Sequence, residues 1–227
     1  MIEARAVLFD CDGVLVDSAT SVERAWRRWA AERGLDGDAI VAVAHGRRTE
    51  DTMRELGLSG DLGAEVEHLE GYEIADAASV HAFPAAAALL PELPPGSWAV
   101  VTSGTRALAT SRLAAAGLPL PAVLVTADDV AAGKPDPEGY LEAAQRLGCA
   151  PADCVVLEDA PAGVQAALAA GMRVVGLTTT HAAAELRAAT LVASWEEIVL
   201  CTAADRIVLS LAPGTLAAGA PAPPMTD

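Results

Sequence analysis

The chain of 227 residues is poor in several features, and each shortage excludes a class of protein. Aromatic residues make up only 4% and cysteines number four. Cys11, Cys149, Cys154 and Cys201 show neither CxxC spacing nor the even framework of a short secreted chain, which predicts reduced thiols in a cytoplasmic protein. No run of about 18 consecutive apolar residues occurs, so no membrane partner is expected. The start, Met1-Ile2-Glu3-Ala4-Arg5, runs into a strand-like segment and lacks the form of a signal peptide. Positive charge is scarce as well: 15 basic residues face 31 acidic ones, a formal net charge of −16. That balance disfavours a nucleic-acid footprint, which needs a basic face, and no nucleic-acid partner is expected. A small anionic substrate remains compatible, provided a metal ion and a few placed cations offset the field locally.

What is present is the material for a core, since 52% of the residues are hydrophobic. Short apolar runs recur at residues 6–9, 98–101, 122–125, 154–157 and 173–177 without polar alternation. Strands buried on both faces of a parallel sheet read this way. Helical patterns over 106–116, 137–147 and 161–170 separate the later runs, and each stops near a glycine (Gly117, Gly148, Gly171). Alternation of strand and helix predicts an α/β, doubly wound, Rossmann-like core.

Residues 17–83 break that alternation. Val22, Ala25, Trp26, Trp29 and Ala30 trace the apolar stripe of an amphipathic helix, and further helical stretches follow with no strand between them. The spacing predicts an inserted all-helical cap over 17–83, with its tryptophans as cap core, on a catalytic core made of 1–16 and 84–211. Arg206–Leu211 is expected as a last edge strand, and 212–227, rich in Ala, Pro and Gly, as a loosely ordered tail.

In open α/β sheets, ligands bind beyond the carboxyl ends of the strands. The groups expected there are Asp10-Cys11-Asp12-Gly13, Thr102-Ser103-Gly104, Lys134-Pro135 and Glu158-Asp159. Taken singly, each has an ordinary reading as a turn acid, a solvated charge or a helix cap. Together they suit phosphoryl transfer, because a carboxylate nucleophile facing a phosphate dianion needs cations to screen both. Mg²⁺ needs only one or two carboxylates beside substrate and water oxygens. Asp10, the Asp12 carbonyl and Asp159 are candidate ligands, with Glu158 alongside to ligate or to orient Lys134. Lys134 would neutralise nucleophile and phosphate, Thr102, Ser103 and Gly104 would hold phosphate oxygens, and Asp12 would act as general acid and base.

These four segments make the chain resemble the haloacid dehalogenase superfamily of phosphohydrolases over about residues 5–200. The resemblance implies an aspartyl-phosphate intermediate on Asp10, with Asp12 as acid/base and Asp159 as magnesium ligand. It also implies a helical cap that selects the substrate. Asp12 sets the chain apart from the dehalogenase branch. Asp17 to Trp26, the segment His45-Gly46-Arg47-Arg48-Thr49, Trp98 to Arg106 and Glu158 to Gly163 are similar to sugar- and polyol-phosphate phosphatases. A small phosphorylated sugar or polyol is the implied substrate, with Arg47, Arg48 and Arg106 as candidate contacts. The β-phosphoglucomutase branch is the nearest alternative, but its cap histidine falls on Val22 here. Outside enzymes, the readings are a phospho-accepting receiver domain or a silent binding protein. A receiver domain places its acceptor on the third strand and has no cap. His68, His81 and His181 show no ligand spacing. A monomer or small homo-oligomer is expected.

Overall fold

The protein is described here by a computed structural model covering residues 1–44, 46–203 and 206–211. After a short strand β1 (Ile2–Ala4), the chain enters β2 (Ala6–Phe9) and then a two-residue strand β3 (Val16–Asp17). Four helices follow, α1 (Ala19–Arg33), α2 (Gly37–Ala44), α3 (Thr49–Glu55) and α4 (Leu62–Ala75). β4 (His81–Ala82) and α5 (Pro84–Leu89) lead back to the alternating part: β5 (Trp98–Val101), α6 (Arg106–Ala115), β6 (Val123–Val125), α7 (Glu138–Arg146), β7 (Cys154–Glu158), α8 (Pro161–Ala169) and β8 (Arg173–Leu177). The described chain closes with β9 (Leu191–Ala193), β10 (Ile198–Ala203) and β11 (Arg206–Leu211).

Six of these strands form one parallel sheet in the order β6-β5-β2-β7-β8-β9. Every residue of β2, β5 and β7 is buried, which accounts for their continuous apolar sequence. Successive side chains point to opposite faces. Val7, Phe9, Val100, Val155 and Leu157 enter one core cluster, while Ala6, Leu8, Ala99, Val101 and Val156 enter the other. The strand order reverses around β2, so its carboxyl end opens into the crevice where such sheets bind ligands.

Arg206–Leu211 is not an edge strand. It is the middle of a separate antiparallel sheet, β1-β11-β10, in which β1 and β10 flank it. Its alternation explains this: Ile207 and Leu209 turn inward and join the core cluster containing Ile2 and Ala4. Residues 212–227, expected as a loosely ordered tail, lie outside the described residues.

Between β2 and β5, helices α1 to α4 enclose their own core of Trp26, Trp29, Ile40, Met53 and Leu69. Trp26 and Trp29 meet edge to face with ring centroids 5.6 Å apart, so they pack the helical block as expected. The excursion is not purely helical. It starts and ends in an antiparallel ribbon, β3 with β4, pairing Val16 with Ala82 and Asp17 with His81. Both connections to the sheet thus run side by side.

Candidate active site

β2 ends at Phe9, and the next residue, Asp10, is 5% exposed at the mouth of the sheet. The chain then turns back, with the Gly13 amide donating to Val16 O at 2.8 Å. Gly13 has φ +79°, and a Cβ there would stand 2.0 Å from Asp159 Oδ2. Only glycine lets this loop approach the end of β7 so closely.

Lys134, the only lysine of the chain, reaches the same point from the loop before α7. Its Nζ donates to Asp10 Oδ1 and to Glu158 Oε1, each at 2.5 Å, and to Val101 O at 3.3 Å. Burial alone would lower the Lys134 pKa, but Asp10 and Glu158 outweigh it and the net shift is upward. Asp10 is pushed up to about 7 by burial, against the pull of Lys134 and with the Glu158 and Asp12 charges adding to the rise. Asp159 is raised well above the usual carboxylate range by burial, then by Glu158 and Asp10.

One carboxylate oxygen from each of Asp10, Glu158 and Asp159 lies within 4.8 Å of the other two. Thr180 donates to Asp159 Oδ2, whereas Asp159 Oδ1 is buried with no hydrogen-bond partner among the described residues. A buried acceptor without a partner, inside a carboxylate cluster, fits an oxygen-seeking cation. Glu158 belongs to the cluster, yet its acceptor positions are taken. Lys134 and the Tyr140 hydroxyl donate to Oε1, and the Asp159 and Ala160 amides donate to Oε2. Its hydrogen bonds fit the other role expected of it, that of orienting Lys134.

Thr102, at the end of β5, lines the same cavity. The Gly104 amide donates to Thr102 Oγ1 at 3.2 Å and the Ser103 hydroxyl donates to Gly46 O at 3.1 Å. The Ser103 amide has no hydrogen-bond acceptor among the described residues. Asp12 Oδ1 accepts from the Ser18 hydroxyl at 2.7 Å and forms an ion pair with Arg112 Nη1 at 2.8 Å. Arg112 also donates to Glu73 of α4 at 2.7 Å. The cavity, about 70 Å³, holds Asp10, Asp12, Thr102, Ser103, Arg112 and Asp159 on the sheet side. Val22, Trp26, Ala44, Arg47 and Glu73 cover it from the helical block.

With this geometry in view, similarity to known proteins is decisive. Residues 4–171 match the model of the haloacid dehalogenase-like hydrolases. The chain belongs to that family. It is a phosphoric monoester hydrolase. It is 44% identical over 182 residues to hexitol phosphatase A of Escherichia coli (strain K12), covering 78% of this chain and 84% of that one. Glycerol-1-phosphate phosphohydrolase 1 of Saccharomyces cerevisiae is 36% identical over 194 residues, with 79% and 76% covered. A solved hydrolase from Pseudomonas syringae superposes with a TM-score of 0.72 at 29% identity, covering 82% and 91%.

Not every expected residue faces the cavity of this hydrolase. Arg106 opens α6 but points outward, donating to Asp129 at 2.6 Å and to Leu124 O. Arg48 is buried and donates to Asp51 and to Val130 O and Ala131 O, so it ties the helical block to the sheet domain. Arg47 lines the cavity with its guanidinium paired to Glu55 at 2.7 and 2.5 Å. His45 lies outside the described residues.

Arg112, Glu73, Tyr140 and Thr180 are absent from the expected set. A signal existed for the first two, because each is a charged residue on the apolar stripe of its helix. α6 buries Leu108, Ala109, Arg112 and Leu113, and α4 buries Leu69, Glu70 and Glu73. Thr180 follows β8, one strand end beyond the four considered.

Proposed function

We propose that this hydrolase cleaves phosphate monoesters of small sugars or polyols, with Mg²⁺ bound, through a phosphoryl group carried on Asp10. The observation that supports it most is Lys134 Nζ, 2.5 Å from Asp10 Oδ1, in a carboxylate cluster that also holds Asp159 with its unpartnered Oδ1. Residues 17–83 act as the cap, and Asp10, Asp159 and the Asp12 carbonyl would hold the metal. When bound, Mg²⁺ supplies the positive charge that lets the Asp10 carboxylate meet a phosphate dianion.

The remaining steps belong to the chain's own residues. An oxygen of Asp10 attacks phosphorus as the bond to the substrate's alkoxide oxygen breaks, and Asp12 gives that oxygen a proton. Water then attacks the phosphorus, Asp12 takes its proton, and the bond to Asp10 breaks to release inorganic phosphate. Thr102, Ser103 and Gly104 hold phosphate oxygens, and Lys134, held by Glu158, neutralises nucleophile and phosphate together. Val22 in the cavity wall offers no titratable group in place of the mutase branch's histidine, so hydrolysis is favoured over return of the phosphoryl group to a sugar. Four free thiols fit a reducing cytoplasm.

Phosphate release from a panel of sugar and polyol phosphates tests the reading. It should require Mg²⁺, stop on chelation and be lost in Asp10→Asn. Retained turnover in Asp10→Asn would sink the aspartyl-phosphate route.

A further inference from the structure

We infer that Glu73 is a specificity-determining residue, whose carboxylate accepts a hydroxyl of a neutral, polyhydroxylated substrate body. This rests on the phosphatase reading above and assigns the part of the site that reads the non-phosphate end.

Glu73 projects from the cap helix α4 into the cavity that contains Asp10, and is only 4% exposed. Arg112 holds one oxygen, Oε2, at 2.7 Å. The other oxygen accepts no hydrogen bond from a described residue. Glu73 Oε1 is thus an acceptor with no donor among the described residues, on a side chain that lines the cavity and whose orientation Arg112 sets. A fixed acceptor inside a small enclosed site selects for a hydroxyl donor, because a substrate without one leaves that oxygen unpaired.

The positive groups point the same way. The arginines lining the cavity among the described residues are Arg47 and Arg112. Arg47 is paired with Glu55, and Arg112 with both Asp12 and Glu73. A second phosphate or a carboxylate on the substrate would find both cations already paired and Glu73 facing it. Val22, Trp26 and Leu108 give the carbon chain an apolar wall.

The test compares kcat/KM of the full-length enzyme for a hexitol phosphate, for 2-phosphoglycolate, and for p-nitrophenyl phosphate, which has no free hydroxyl. Wild type is set against Glu73→Gln and Glu73→Leu, with thermal melting to follow folding. The hexitol-to-nitrophenyl ratio should fall on the order of ten- to a hundredfold in Glu73→Leu and less in Glu73→Gln. The phosphoglycolate-to-hexitol ratio should rise in both. Parallel losses on all three substrates would mean that Glu73 acts only through Arg112 and the fold, and would overturn the inference while leaving the phosphatase reading intact. A wild type that releases phosphate from none of them would remove both.

Discussion

Arg112 Nη1 lies 2.8 Å from Asp12 Oδ1 in a buried ion pair, joining α6 to the loop that carries the proposed acid/base. The same guanidinium holds Glu73 of α4, so one buried cation serves two carboxylates. The Arg112 pKa is raised: burial would lower it, but Asp12 and then Glu73 more than offset that. Removing it strands both acids. Arg112→Met should lower unfolding free energy by about 3–5 kcal/mol, as measured by denaturant titration. Adding Glu73→Leu should recover part of that loss, and purely additive effects in the double-mutant cycle would contradict the coupling.

Gly163 tests how tightly Glu158 is held. A Cβ at this position of α8 would fall 1.6 Å from Glu158 Oε1, the oxygen that takes Lys134 and Tyr140. Gly163→Ala should destabilise by about 1–3 kcal/mol or more and depress turnover, since the carboxylate must move away from Lys134. Gly71, exposed on α4 with nothing within 4 Å of an added Cβ, is the contrast. Gly71→Ala should stabilise by about 0.5–1 kcal/mol through helix propensity. Equal melting shifts for the two variants would refute this account.

Glu73 also makes a pH prediction. Burial pushes it from its ordinary 4.5 up to about 7; Arg112 opposes the rise, while Asp12 and Glu70 add to it. A carboxyl whose folded pKa is raised takes up a proton on folding, so its contribution is full below pH 4.5 and is lost as pH climbs through 7. Across that window wild type should lose up to about 3 kcal/mol relative to Glu73→Gln. Urea unfolding of both proteins at pH 4.5, 6 and 8 reads the difference; a gap that shrinks with rising pH would show Arg112 to be the stronger influence.

Much of this site was legible because its parts are local. Asp10, Thr102 and Asp159 each follow a buried apolar run, and parallel strands deliver their carboxyl ends to one rim whatever the packing detail. Lys134 announces itself as the only lysine of the chain. The arginines were harder. Arg106 occupies the helix start that favours anions, yet Asp129 beside it draws the side chain outward. Arg112, two turns on, shares the apolar stripe of α6 with Leu108, Ala109 and Leu113, but the stripe alone does not say which carboxylates it meets. Arg47 and Arg48 are both candidate substrate contacts in the sequence, but one residue along a chain entering a helix changes the face it serves, and Arg48 turns to Asp51, Val130 O and Ala131 O.

The parallel sheet, the helical excursion and the carboxylates at the end of β2 were determined by sequence alone, because burial periodicity and strand-end polarity are properties of neighbouring residues. Tertiary structure alone decided which charges pair. Lys134 with Asp10 and Glu158, and Arg112 with Asp12 and Glu73, join segments far apart in the chain. Buried charges persist only where a partner meets them, and that meeting depends on how the helical block lies over the sheet.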